Sequence, residues 1–148
     1  MTDIRLTNTL RLLQSAEEIR ARISGEFSAV HGLSVNEFFL LLHLEQTPKH
    51  RLSRVELAKR MHINASTVTR MALPMEKLGL VTRQADARDA RLAFVVITDT
   101  GLQKLAETRE TLKKQAGYIF DERWNEAELD QLSSLLNRLQ SPAIGKLA

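Results

Sequence analysis

Two helix-start signals eleven residues apart, Ser53 and Asn64, constrain this chain more than any other feature. Ser53-Arg-Val-Glu56 has the form of a capping box, in which the serine accepts from a free amide and the glutamate reaches back. Asn64 is a good N-cap for a second helix. The first helix must bury Leu57, Ala58 and Met61, and the small Ala58 lets the second helix come close. A turn follows at residues 61–63, with Ile63 plugging the crevice between the pair. Val68 and Met71, three apart, mark the inner face of the second helix. Ser66, Thr67, Thr69 and Arg70 are left outward. A helix-turn-helix of this kind places its second helix in the DNA major groove, N-terminal side chains at the base edges. Short hydroxyls reach phosphates and bases at close range, and arginine pairs bidentately with a guanine edge. Any amphipathic helix pair with a short turn shares the spacing. The acid-free outer face and the basic segment after it favour DNA.

Two residues depart from the easiest pattern. His62 stands in the turn where glycine would be simplest, and histidine tolerates positive φ. Pro74 falls inside the second helix, where it removes one backbone hydrogen bond and should bend the helix after its base-reading turns. Gly79 ends that helix. Residues 80–83 then read as a strand, and residues 92–97 as an apolar, β-branched second strand. The polar, alternately charged residues 84–91 between them form a hairpin tip, a wing. Asp89 and Arg91 are two apart and share a face of an extended chain, so the carboxylate can aim the guanidinium at a narrow minor groove. A solvated surface loop has the same composition.

The segments Asn64-Ala-Ser-Thr-Val-Thr-Arg70, Glu76-Lys-Leu-Gly-Leu-Val-Thr-Arg83, Asp86-Ala-Arg-Asp-Ala-Arg91 and Ile97-Thr-Asp-Thr-Gly101 follow in order the pattern of the multiple-antibiotic-resistance regulator (MarR) family. The chain resembles that family over nearly its whole length. The resemblance implies a mainly α fold with a small β-hairpin wing, and a homodimer that reads palindromic double-stranded DNA, as a repressor. It places the residues matching Ser66, Thr67, Thr69 and Arg70 in the major groove, and those matching Asp89 and Arg91 at the minor groove. It also implies release by a small aromatic or phenolic effector held between the dimer helices and the DNA-binding lobes. Phe27, His31, Phe39 and His43 are the candidate walls of that pocket. The full set of DNA-contact candidates is Ser53, Asn64, Ser66, Thr67, Thr69, Arg70, Arg83, Arg88, Asp89 and Arg91.

Charge placement agrees. Residues 49–91 hold ten Lys or Arg against four Asp or Glu, +6 locally within a chain of net +3, so the remainder is −3. A basic centre with mildly acidic flanks suits one DNA-binding module and other work elsewhere. With 148 residues the chain suits a single domain with a sizeable core. The winged lobe is expected over about 35–98 and dimerisation helices over about 4–28 and 99–140. Leu6, Leu10, Leu13, Ala16, Ile19, Ile23 and Phe27 recur at helical steps near the start. Ser34-Val-Asn-Glu37 opens a second helix, apolar nearly all round through Leu44, which should be central and buried. Thr98 caps a long helix to near residue 120, and Asn125-Glu-Ala-Glu128 opens a last one, stopped by Ser141-Pro142. Stripes at both ends need a partner surface, and a two-fold dimer sets two recognition helices one DNA turn apart.

No cysteine is present, which excludes a disulfide scaffold, a thiolate zinc site and a cysteine redox sensor. No two of His31, His43, His50 and His62 stand at helical ligand spacing, so no metal and no cofactor are expected. Neither a glycine-rich phosphate loop nor a nucleophile motif is present, and an enzyme is not expected. No run spans a bilayer and no signal-peptide core is visible, so a cytoplasmic protein without membrane partners is the expectation. Two other readings stay open on the residues alone. One is a winged-helix module that binds an acidic protein rather than DNA. The other is a ligand-binding or enzymatic helical protein with an incidental basic centre.

Overall fold

The computed structural model describes residues 3–89, 92–141 and 147. Their order is α1 (Ile4–Glu26), a π-helical turn (Phe27–His31), α2 (Val35–Glu45), β1 (Arg51–Ser53), α3 (Arg54–Met61), α4 (Ala65–Lys77), β2 (Val81–Ala85), β3 (Ala93–Ile97), α5 (Asp99–Ile119) and α6 (Glu126–Leu139). The fold is mainly helical with one small antiparallel sheet, ordered β1-β3-β2. None of these helices is by itself long and apolar enough to cross a membrane.

The core lies where α2 meets the winged lobe. Ser34 and Glu37 complete both arms of their capping box, at 3.0 and 2.9 Å, and α2 buries Phe38, Leu40, Leu41 and Leu44. Leu57 of α3, Val68 and Met75 of α4, and Leu105 of α5 are all fully buried against it. The helical path after α1 runs on to His31 as a π turn instead of ending near Phe27. This register leaves Phe27 fully buried, edge-on to Phe38 at 5.1 Å, before Gly32 ends the run in a left-handed conformation.

The sheet adds a strand that its sequence hides. The sequence marks no strand before Ser53, yet Arg51, Leu52 and Ser53 pair with Val96, Val95 and Phe94. Leu52, Val81, Val95 and Ile97 point into the core, while Arg51, Thr82, Gln84, Phe94 and Val96 share the opposite face. The hairpin is closed beyond the strands by two backbone bonds, Asp86 N–H to Leu92 O and Leu92 N–H to Asp89 O. At its base, the Thr98 hydroxyl bonds the carbonyls of Gly79 and Leu80 and accepts from Gly101 N–H, starting α5 against the end of α4.

Both ends of the chain expose their stripes. Only Ile23 of α1 is buried, while Leu6, Leu10 and Leu13 are 55–59% exposed. No residue of α6 is buried, and Leu135 and Leu139 are open. Between α1 and α6 lies a wide cleft of about 830 Å³, walled by Leu12, Leu132, Leu136 and Trp124 among others.

Candidate nucleic-acid interface

The turn between α3 and α4 sets the interface geometry. His62 takes a left-handed conformation at φ 57°, ending α3 where glycine would be least strained. Ile63 N–H then bonds Ala58 O, and α4 starts two residues on. Ser53 caps α3 by accepting from Glu56 N–H at 3.1 Å. The return arm of the expected capping box is not made; the Glu56 carboxylate lies instead 4.0 Å from Lys59 Nζ. Pro74 does not stop α4, which continues to Lys77 with Met75 fully buried.

Asn64 organises the exposed start of α4. Its Oδ1 accepts from Thr67 N–H, from the Ser66 hydroxyl and from the Thr67 hydroxyl, at 2.9, 2.7 and 2.7 Å. Both hydroxyl protons therefore turn inward, and the oxygens present lone pairs to the outside. An acceptor face suits base amino groups; donation to phosphate requires the hydroxyls to rotate. Arg70, exposed one turn on, reaches back to Thr67 Oγ1 at 3.4 Å. Thr69 is occupied differently. Its hydroxyl donates to Ala65 O and accepts from Arg54 Nη1 at 2.7 Å. Arg54, which the sequence reading passed over, thus joins the outer edge of α4; its only sequence signal is a basic residue after the Ser53 cap.

The wing carries the other candidates. Arg83 is exposed and paired with Glu76 of α4 at 3.1 Å. Arg88 is exposed, its backbone N–H held by Asp86 Oδ1 in a tight turn. Asp89 is half-buried at the tip. Arg91 lies outside the described residues, so its pairing with Asp89 does too. The outer face of the sheet adds a second group the sequence reading omitted. Arg51 lies 4.4 Å over the Phe94 ring and donates to Gln84 Oε1, beside Lys49 and Arg88 in a shallow basic cleft.

Of the four residues expected to line an effector pocket, two come together. Phe39 and His43 share a cavity of about 210 Å³ with Arg20, Asn36, Arg60 and His62. Arg20 sits over the Phe39 ring and donates to Asn36. His43 is 4% exposed, and its buried Nδ1 has no hydrogen-bond partner. Burial, with the positive Arg60 and His62 nearby, pushes its pKa down to about 4, so the ring is neutral near pH 7. Phe27 and His31 lie elsewhere: Phe27 fills the core, and His31 Nε2 is 2.7 Å from Thr111 Oγ1.

Comparison with known proteins bears on this arrangement. Residues 33–92 match the MarR family model. The HTH-type transcriptional repressor YetL of Bacillus subtilis is 32% identical over 81 residues, 55% of this chain and 48% of YetL. The chain spans about half the length of the curated relatives it matches, and these are transcriptional regulators rather than enzymes. Among solved structures, the transcriptional regulator BldR from Sulfolobus solfataricus superimposes with a TM-score of 0.77 at 27% identity, covering 93% of this chain and 99% of BldR. Sco3205, a MarR family transcriptional regulator from Streptomyces coelicolor solved in complex with DNA, gives a TM-score of 0.81 at 21% identity over 97% of this chain and 92% of its own. Residues 33–92, with the helix-turn-helix and most of the wing, are thus similar to the MarR family, in a chain whose fold is that of solved transcriptional regulators.

Proposed function

We propose that this chain is a sequence-specific, double-stranded-DNA-binding transcriptional regulator, acting as a homodimeric repressor on a two-fold operator. The observation that carries the reading is the start of α4. Ser66, Thr67 and Arg70 stand exposed or half-exposed on one Asn64-capped helix face without an acidic neighbour, beside a basic hairpin. The α1 and α6 leucines support the dimer, since a second copy covers apolar surface that this chain leaves in water. The test is selection from a randomised duplex library, followed by fluorescence anisotropy at two salt concentrations. An enriched palindrome with affinity falling steeply in salt is the expected result. Sequence-blind, salt-insensitive binding contradicts it.

The cavity at Phe39 and His43 supports an effector site. Two guanidinium groups, an aromatic wall and an unpaired buried imidazole fit a small aromatic anion. The cavity touches α1, α2 and the His62 turn that sets α4, so a ligand that prefers a different helix spacing weakens DNA binding by its differential affinity. Benzoate is a suitable probe: it is expected to lower operator affinity in the native chain and to lose that effect in Arg60→Ala. An equal response from both proteins removes the cavity from the reading.

A further inference from the structure

The cleft between α4 and the wing carries a cation, Arg54, at its edge. Arg54 is the first residue of α3, and its side chain leaves that helix to meet α4 at Thr69. It lines a groove of about 180 Å³ together with Leu73, Glu76, Arg83 and Phe94. The groove walls are mostly apolar, so the charges stand at its edge. One of them, Arg83, is neutralised by Glu76. Arg54 is exposed and, among the described residues, pairs with no carboxylate. Its one fixed partner, the Thr69 hydroxyl, takes a single donor of the five on a guanidinium.

Resting on the DNA reading above, we infer that Arg54 is a phosphate-binding residue for the sugar-phosphate strand running between the two grooves the protein occupies. If α4 lies in a major groove and the hairpin in the adjacent minor groove, the backbone separating those grooves must cross the line between helix and hairpin. Arg54 borders the groove between α4 and the wing strands. Thr69 holds the guanidinium across the outer edge of α4, so the remaining donors need little ordering on binding. The contact is to phosphate, carries no sequence information itself, and fixes the depth at which Ser66, Thr67 and Arg70 sit. Thr69 on this account is a positioning residue: its hydroxyl is engaged by Ala65 and Arg54, and only its methyl is free for a base.

Anisotropy titrations of wild type, Arg54→Ala and Arg54→Lys test this on two duplexes, the selected operator and an unrelated sequence, over a range of salt. Arg54→Ala is expected to lose about tenfold in affinity on both duplexes. The slope of log affinity against log salt should shrink by about one unit per protomer. Arg54→Lys keeps the charge and is expected to keep the slope. An Arg54→Ala slope equal to wild type overturns the inference while leaving DNA binding itself intact. So does a result in which alanine and lysine variants act alike and lose only discrimination between duplexes, which assigns Arg54 to bracing Thr69 alone. A wild-type chain that binds neither duplex overturns both this and the reading beneath it.

Discussion

His43 shows how one side chain can tie stability to solution conditions. Its ring is held neutral in the fold with a pKa near 4, against about 6.5 when exposed. Between those values the unfolded chain binds a proton that the native chain refuses, so stability falls as pH drops from about 6.5 toward 4. The shift corresponds to on the order of 3 kcal/mol. Urea melts at pH 7.5 and 4.5 should show that loss in wild type and a smaller one in His43→Leu; parallel losses remove His43 as the cause. Asn64 is the other residue with more than one duty. Asn64→Ala is expected to cost about 1 kcal/mol of stability through the lost cap. It also frees two hydroxyls, so operator preference should change along with the melting curve, read by competition between duplexes. Asn64 was legible as a cap because capping is local. The sharing of its oxygen by Ser66 and Thr67, and the grip of Arg54 on Thr69 from fifteen residues away, depend on rotamers and tertiary approach that spacing does not encode.

Secondary elements were legible in proportion to their length and periodicity. The helices announced themselves through caps at Ser34, Ser53, Asn64, Thr98 and Asn125, all of which accept the expected amide. β1 did not, since three residues are too few to display alternation, and its pairing with β3 is set across more than forty residues of chain. The π turn was invisible because its register answers to the burial of Phe27 rather than to local propensity. Pro74 lies inside α4, which runs past it to Lys77. Where elements meet, one glycine is decisive. A Cβ on Gly101 would lie 2.1 Å from Leu80 O and 2.8 Å from Ile97 Cγ1. Backbone cannot yield to that contact cheaply, so Gly101→Ala is expected to lose about 3 kcal/mol or more, measured by denaturant unfolding. A Gly117→Ala control, with open space around it, should lose nothing comparable.

At the scale of the whole molecule, the exposed helix stripes decide behaviour in solution. Leu10 and Leu135 are 57% and 49% exposed, so replacing either with Asp leaves the single-chain core untouched. Each leucine buried by a partner contributes about 1.5–3 kcal/mol. The double variant Leu10→Asp/Leu135→Asp is therefore expected to sediment as a folded monomer and to lose palindrome preference. A dimeric sedimentation profile would place the interface elsewhere. Sequence periodicity showed that these stripes existed and needed a partner surface; the structure adds which leucines stay in water once α2 has claimed the core. A last consequence concerns which parts of such a chain can drift. Thr98 and Gly101 lock the hairpin base to α5 and to the end of α4 within a few ångströms. An insertion there would shift the long helix against the reading head. Beyond the bond from Asp86 to Leu92 the tip carries the exposed Ala87 and Arg88, so added or deleted residues there change its reach. Descendants of this chain can explore new target sequences by varying tip length and chemistry, while the locked base beneath stays invariant.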